Sequence, residues 1–393
     1  MNRTNNNQAL FFEIAQAVRD QEALSRTEIA NTLNRSPATI GRAVDTLISE
    51  NLIIQTGEKT TGGVGRPPEL LKFNASFGSV LSVDIRLTEA YAVVTDLSGN
   101  ILKSVKQPLA NDNPEKSVDE LVEIIRNLLC SSANLPPVYV IVVGAPSTVN
   151  PDGVIDWAPS LGWENVPLKS ILDEEFGLAT LVENDVNLAA LGEFWIGAGQ
   201  RTRKNMLFIS VGTGIGAGII IDGELYRGAT NAAGEVAYFI TDVNILKEDG
   251  GGIGYLENQI GRNGIIRTSH LVARRYPTSG LAELLSQSGQ HVQTRKLFAL
   301  AEEGDIAAGV VYKNVIDILT IIICNSSAIL DPEIIILGGP SEWNWPNMIK
   351  AIKERIGTNL LRPVHLMPSE LGNNALVLGG TYSALKWLPI LSG

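Results

Sequence analysis

Asn184 and Asp185 directly follow a run that reads as a strand, the place where open α/β folds put the side chains that touch ligand. A carboxylate there offers several acceptor sites to neighbouring hydroxyls, so it suits a polyol. The same pair also fits a capped helix or a solvated face. Further on, Val211-Gly212-Thr213-Gly214-Ile215-Gly216-Ala217-Gly218 places glycine at every second position. Such a loop admits either a close backbone approach to phosphate or a tight turn between strands. Cys130 and Cys324 are too few for a disulfide framework and lack metal-ligand spacing.

Strands and helices must hold these groups. Residues 80–85 and 91–96 read as two strands around a short turn, and 101–105 as a third after Ser98-Gly99-Asn100. A helix over 121–129 precedes a buried strand, 138–143, that ends in Gly144-Ala145-Pro146. The pattern then repeats, with 207–211 running into the glycine loop and 219–221 as another strand. The expected class is α/β, with two sets of antiparallel strands each followed by helices. A length of 393 residues, 45% hydrophobic content and 38 glycines suit two or three globular domains with many tight turns. The first residues are polar and Asn-rich. The longest apolar run, 206–221, is broken by Gly and Thr and falls short of the roughly 20 residues of a spanning helix. No membrane partner and a cytoplasmic location are therefore expected.

The net charge is −11, but its distribution is uneven. Residues 1–72 carry 8 basic and 8 acidic side chains, so the whole deficit lies in the remainder. Nucleic acid needs a local positive face, not a basic whole, and the N-terminal segment is free to supply one. Ala9, Leu10, Ile14, Ala17 and Val18 have helical spacing. Ser25-Arg26-Thr27-Glu28 is a capping-box pattern that opens a second helix with Ile29, Ala30 and Leu33 inward. After the turn at Asn34-Arg35, Ser36 is placed to cap a third helix with Pro37 in its first turn. Ile40, Val44, Leu47 and Ile48 face its core, which leaves Ala38, Thr39, Arg42 and Asp45 outward. A helix-turn-helix reader meets base edges with that N-terminal half, so Ser36, Ala38, Thr39 and Arg42 are candidate DNA contacts. Residues 52–55 and 70–73 read as strands of a hairpin wing around a Gly-rich tract. Within it, Arg66 in Gly62-Gly63-Val64-Gly65-Arg66-Pro67-Pro68 fits either a minor-groove arm or a plain linker.

Several segments, taken in order, resemble the ROK family of repressors, unassigned reading frames and sugar kinases. They are the stretch 182–193 around Asn184-Asp185, the glycine loop, Leu225-Tyr226-Arg227-Gly228, Asn231-Ala232-Ala233-Gly234-Glu235 and Ile335-Ile336-Leu337-Gly338-Gly339. With the N-terminal helices included, the chain looks like the transcriptional-regulator branch of the xylose-repressor, Mlc and NagC type. The resemblance implies a two-lobed, actin-like sugar-kinase fold behind a winged helix-turn-helix. It divides the chain into 1–72, a first lobe of 73–185 and 373–393, and a second lobe of 186–372. It implies that Asn184, Asp185, Glu235 and Glu257 contact a sugar in the interlobe cleft. In kinase members the Asp185 position is the general base.

The chain departs from that family in three places. Family kinases read Asp-x-Gly-Gly-Thr in their first phosphate loop, and here it is Asp84-Ile85-Arg86-Leu87-Thr88. Two bulky side chains replace the glycines that let backbone approach a triphosphate, so loss of phosphoryl transfer is expected and Asp185 becomes a vestigial base. The family's zinc-binding His is Tyr238, and its Cys positions are Glu248, Gly250 and Tyr255, so no metal or other cofactor is expected. The strand-end turn carries Ser147 where the family prefers Gly after Pro, and the sugar-loop Asn is Ser160. Tyr238 and Ser160 therefore join the expected ligand set. The reading is a regulator, as a repressor, that binds a palindromic double-stranded operator as a homodimer or tetramer and senses a carbohydrate. The alternatives are an ATP-dependent sugar kinase with an appended DNA domain and a regulator controlled by a protein partner.

Overall fold

The computed structural model describes residues 2–21, 23–58, 69–110, 113–202, 204–241, 254–288, 292–340 and 343–387. Arg66, Glu248 and Gly250 lie outside them. The chain forms two compact units, Met1–Asp185 with Gly380–Gly393, and Val186–Gly379.

The first unit opens with α1 (Asn2–Asp20), α2 (Arg26–Thr32) and α3 (Pro37–Ser49), followed by β1 (Ile53–Glu58) and β2 (Glu69–Phe73). Both caps form as the residue types dictate. The Ser25 hydroxyl accepts from the Glu28 amide, and the Glu28 carboxylate accepts from the Ser25 amide at 2.9 Å. Ser36 accepts from the Thr39 amide, with Pro37 in the first turn. Ile14, Val18, Ile29, Ile40, Val44 and Leu47 close the core of the three helices. Ala43 is buried and Ile48 only half-buried. A turn of about 100° per residue puts position 43 closer than 48 to the stripe of 40, 44 and 47. β1 and β2 pair antiparallel, Ile53 opposite Phe73, with a bulge between Gln55 and Gly57.

A five-stranded sheet follows, built from β3 (Ser79–Ile85), β4 (Glu89–Asp96), β5 (Ile101–Pro108), β6 (Val138–Ala145) and β10 (Ala179–Asn184). Between them lie α4 (Pro114–Cys130), the small strands β7 (Thr148–Val149), β8 (Ile155–Ala158) and β9 (Trp163–Val166), and α5 (Leu168–Phe176). The sheet order is β10-β6-β3-β4-β5, parallel from β10 to β3 and antiparallel from β3 to β5. β3 is buried along its whole length, as a central strand covered on both faces is, and it takes Ser79, Ser82 and Asp84 inside with its apolar residues. α4, capped by Asn113, packs Leu121, Ile125 and Leu128 into the core of this sheet.

α6 (Asp185–Ile196) leads into the second unit. There the sheet is β13-β12-β11-β14-β15, from β11 (Met206–Val211), β12 (Ile215–Ile221), β13 (Glu224–Leu225), β14 (Ile334–Gly338) and β15 (His365–Pro368). Again the first three strands are antiparallel and the last two parallel. The two sheets thus share one strand order, which is the duplication that the repeated pattern implied. α7 (Glu257–Ile260), α8 (Arg262–Arg275), α9 (Gly280–Ser288), α10 (Thr294–Glu302), α11 (Ile306–Leu330) and α12 (Trp345–Ile356) supply its helices. The apolar run 206–221 is the β11–β12 hairpin. The long apolar helix is instead α11, whose composition would allow a membrane span but which is 56% buried over its most apolar stretch. Its Val311, Val315, Leu319 and Ile322 pack in one core with Ile209, Leu337 and Ile352.

α13 (Ala375–Leu385) starts in the second unit and ends in the first. It crosses α6 at glycine: a Cβ on Gly379 would stand 1.7 Å from the Leu188 carbonyl oxygen, and one on Gly192 2.0 Å from that of Ala375. Glu193, fully buried, braces the same region. Its carboxylate accepts from the amides of Ala198 and Leu371, each at 2.9 Å, and from the Ser369 hydroxyl.

Candidate functional site

The N-terminal half of α3 presents Ala38 and Arg42 to solvent. Ser36 and Thr39 are engaged with each other, their hydroxyls 2.8 Å apart, so any contact they make is added to a cap already in use. Arg42 Nε reaches back to the Ala38 carbonyl at 3.3 Å. Asp45, outward as expected, does not face solvent alone: Arg26 of α2 holds it at 2.7 Å and also donates to the Gly41 carbonyl. That pair balances the Asp45 charge on this face of α3. Arg26 was missed by the sequence reading because its partner sits on another helix.

In the first unit, three parallel strands end on one edge. Asp84 of β3 lies opposite Gly144 of β6, and Asn184 of β10 opposite Ala145. The Asn184 amide group donates to the Ser147 carbonyl at 3.1 Å, which ties the end of β10 to the turn after β6. Asp185 is the first residue of α6, where the helix N-terminus favours negative charge. Ser160 is exposed in the β8–β9 turn. Asn184 and Asp185 are therefore brought to the sheet edge with Ser147, while Ser160 stands on the neighbouring three-stranded sheet.

The β3–β4 turn at that edge is closed by its own side chains. Arg86 Nε donates to Asp84 Oδ2 at 2.7 Å and Nη1 to Glu89 Oε1 at 3.1 Å. The guanidinium stands 5.6 Å from the centre of the Tyr91 ring. Burial pushes the Asp84 carboxyl up from its ordinary pKa, and the Arg86 charge pulls against that shift. Arg86 is turned inward, and the tip of the turn is the exposed Leu87.

In the second unit, the glycines explain how three ligand candidates meet. Gly234 has φ +91°, and a Cβ there would stand 1.9 Å from the Ala217 carbonyl. Its own carbonyl accepts from the Ala217 amide at 2.8 Å, which fixes Glu235 beside β12. Glu257 opens α7, and a Cβ on Gly214 would stand 2.8 Å from its Oε2. The Gly212 carbonyl accepts from the Arg262 amide at 3.0 Å, so the glycine loop also wraps the start of α8. Burial pushes both carboxyls up. The charge of Glu257 adds to the shift of Glu235, while a backbone hydrogen bond from Ile215 opposes that of Glu257. The Tyr238 hydroxyl is raised by burial and by both carboxylates, so the three groups share one electrostatic neighbourhood. Among the described residues neither glutamate has a Lys or Arg ion-pair partner. Two such carboxylates and a phenol are acceptors and a donor for a neutral, hydroxyl-rich molecule. Tyr238 brings a phenol where an imidazole would ligate metal, and Tyr255 packs half-buried on the core.

Known proteins resemble the chain over two different extents. It is 27% identical to a xylose repressor of Caldicellulosiruptor bescii over 380 residues, 93% of this chain and 92% of that protein. It is 35% identical to a glucokinase of Halalkalibacterium halodurans over 249 residues, 61% of this chain and 73% of that one. A crystal structure of a ROK family transcriptional regulator, a homologue of the E. coli MLC protein, superposes with a TM-score of 0.82 at 22% identity. It covers 99% of this chain and 100% of the other, a likeness of fold. The family model described as ROK matches residues 80–386, and the chain belongs to the ROK family.

Proposed function

We propose that this chain is a DNA-binding transcriptional regulator, a repressor, whose body senses a carbohydrate and changes the affinity of the reader over residues 1–72 for its operator. The observation that carries the reading is the extent of likeness: a xylose repressor matches 93% of the chain, reader included, whereas the glucokinase matches 61%. The capped α3 with its exposed Arg42 supports the DNA half. The acceptor groups Asn184, Asp185, Glu235 and Glu257, with the hydroxyls of Tyr238 and Ser160, support the carbohydrate half. Such a protein works in the cytoplasm, and a two-fold dimer matches half-sites one helical turn or a multiple apart. Effector binding shifts operator affinity only as far as the two conformations differ in effector affinity.

The Arg86 arrangement supports the absence of kinase activity, because the Asp84 carboxylate is committed to a guanidinium in the turn where a triphosphate needs bare backbone. The second reading, an ATP-dependent sugar kinase, has in its favour the glucokinase likeness and the intact Asn184-Asp185. Fluorescence anisotropy on the chain's own upstream DNA, at fixed salt with competitor DNA, tests the first reading. Specific binding shifted by D-xylose or another sugar in a panel is the expected result. ADP release with a sugar, abolished in Asp185→Asn, would install the kinase instead. On the DNA side, Arg42→Ala is expected to cost about 1–3 kcal/mol and to relax base preference. Unchanged operator affinity would remove Arg42 from the reading face.

A further inference from the structure

The carboxyl edge of the first sheet holds one polar group that nothing above uses. Ser147 lies just past the end of β6, and its residue is 7% exposed. Its hydroxyl oxygen is sealed from solvent and has no hydrogen-bond partner among the described residues. Native proteins retain a buried orphan hydroxyl where water, an ion or a ligand completes it. Other orphan hydroxyls lie elsewhere: Ser82 and Thr180 inside β3 and β10, and Ser327 in α11. Ser147 differs in standing at the strand ends, the ligand-binding edge of an open parallel sheet. Its backbone is locked against Asn184. The Ser147 carbonyl accepts from Asn184 Nδ2 at 3.1 Å, the Ser147 amide donates to the Ala145 carbonyl at 2.8 Å, and Ala145 lies opposite Asn184 in the ladder.

We infer that Ser147 is a ligand contact and a specificity determinant: its hydroxyl hydrogen-bonds one hydroxyl of a polyol held at Asn184 and Asp185. The inference rests on the carbohydrate-sensing reading given under Proposed function. A serine hydroxyl both donates and accepts, so it serves a sugar hydroxyl in either sense. The proposed contact requires the hydroxyl to leave its sealed position by a change of χ1 rotamer when ligand binds. Glycine, which the family prefers here, offers no such group, so the contact distinguishes sugars for this chain in particular.

The test is calorimetric titration of the full chain with D-xylose and D-glucose and with their monodeoxy analogues. It uses the wild type, Ser147→Ala, Ser147→Gly and Asp185→Asn. Ser147→Ala and Ser147→Gly are expected to weaken one parent sugar about tenfold, the loss of one ligand hydrogen bond. One monodeoxy analogue of that sugar should bind the wild type and Ser147→Ala equally, because both deletions remove the same bond. Ligand-free Ser147→Ala should melt no lower than the wild type, since the missing oxygen had no partner. If Ser147→Ala binds every sugar as the wild type does while Asp185→Asn loses binding, Ser147 is not a contact and the effector reading stands. If the wild type binds neither sugar nor any analogue, the inference falls together with the effector reading.

Discussion

The β3–β4 turn and the β11–β12 turn occupy the same place in two sheets of identical strand order, and they have gone opposite ways. The first lost its glycines and is closed by Arg86, which binds Asp84 and Glu89. The second kept Gly212, Gly214 and Gly216 and packs around Glu257 and the start of α8. The difference teaches that a glycine-rich turn does not by itself report nucleotide binding. Here its missing side chains make room for the protein's own carboxylate and backbone. On the proposed reading, the first turn was released from phosphate and refilled with an ion pair, and the second was retained because a sugar-facing glutamate depends on its shape.

Substitutions that exchange the properties of the two turns sharpen this comparison. The largest effect is expected from Gly234→Ala, which supports the second turn's neighbourhood. A positive φ and a Cβ overlapping the Ala217 carbonyl should cost roughly 3 kcal/mol or more in denaturant unfolding. A loss below about 1 kcal/mol would mean that the backbone there gives easily.

Next is Arg86→Ala, expected to cost about 2 kcal/mol by leaving a largely buried carboxylate unpaired. The sign of its pH dependence follows from Asp84. A carboxyl whose folded pKa is raised holds its proton better in the folded state, so stability falls as pH rises through that window. Without Arg86 the shift grows, so the loss should be greatest at neutral pH and should shrink toward the ordinary carboxylate range. A pH-independent loss in unfolding curves would assign Arg86 to packing.

Gly214→Ala is expected to cost about 1–2 kcal/mol, because the new methyl must displace the Glu257 carboxylate. Its signature is weaker sugar binding with near-normal operator binding, measured by titration and anisotropy. The smallest effect is that of Glu235→Gln. It removes a carboxyl held up by burial and by Glu257, and it should stabilise the ligand-free protein at neutral pH by about 0.5–1 kcal/mol while weakening sugar binding. Destabilisation instead would show that the Glu235 charge has a structural partner.

Much of the N-terminal segment was legible. Ser25 with Glu28, and Ser36 with Pro37, are signals complete within four residues, and both caps stand where those residue types put them. β3, β4, β5, β6 and β11 were legible as runs between turn residues, whereas β12 was read only from 219 and β13, β14 and β15 were not read as strands. α11 was not singled out, because its apolar residues run around the whole helix and leave little 3.6-residue contrast. Asn184 and Asp185 were legible as the end of a strand. The Ser147 carbonyl that holds Asn184 and the Arg26 that neutralises Asp45 were not, since each partner belongs to a different element. Arg86 was legible as a bulky side chain that fills the turn, but its ion pair with Asp84, formed only in the folded hairpin, was not.

By itself, the chain's sequence determined its local elements and its caps, because those depend on φ, ψ and contacts within a few residues. It also carried the duplicated strand pattern, since apolar runs and turn residues repeat along it. The tertiary structure alone decided the rest. It paired β6 with β10 so that Ser147 meets Asn184, folded Arg86 onto Asp84, and brought Glu235 and Glu257 into one field. Strand order and burial set those encounters, and both are properties of the assembled sheet rather than of any short stretch of residues.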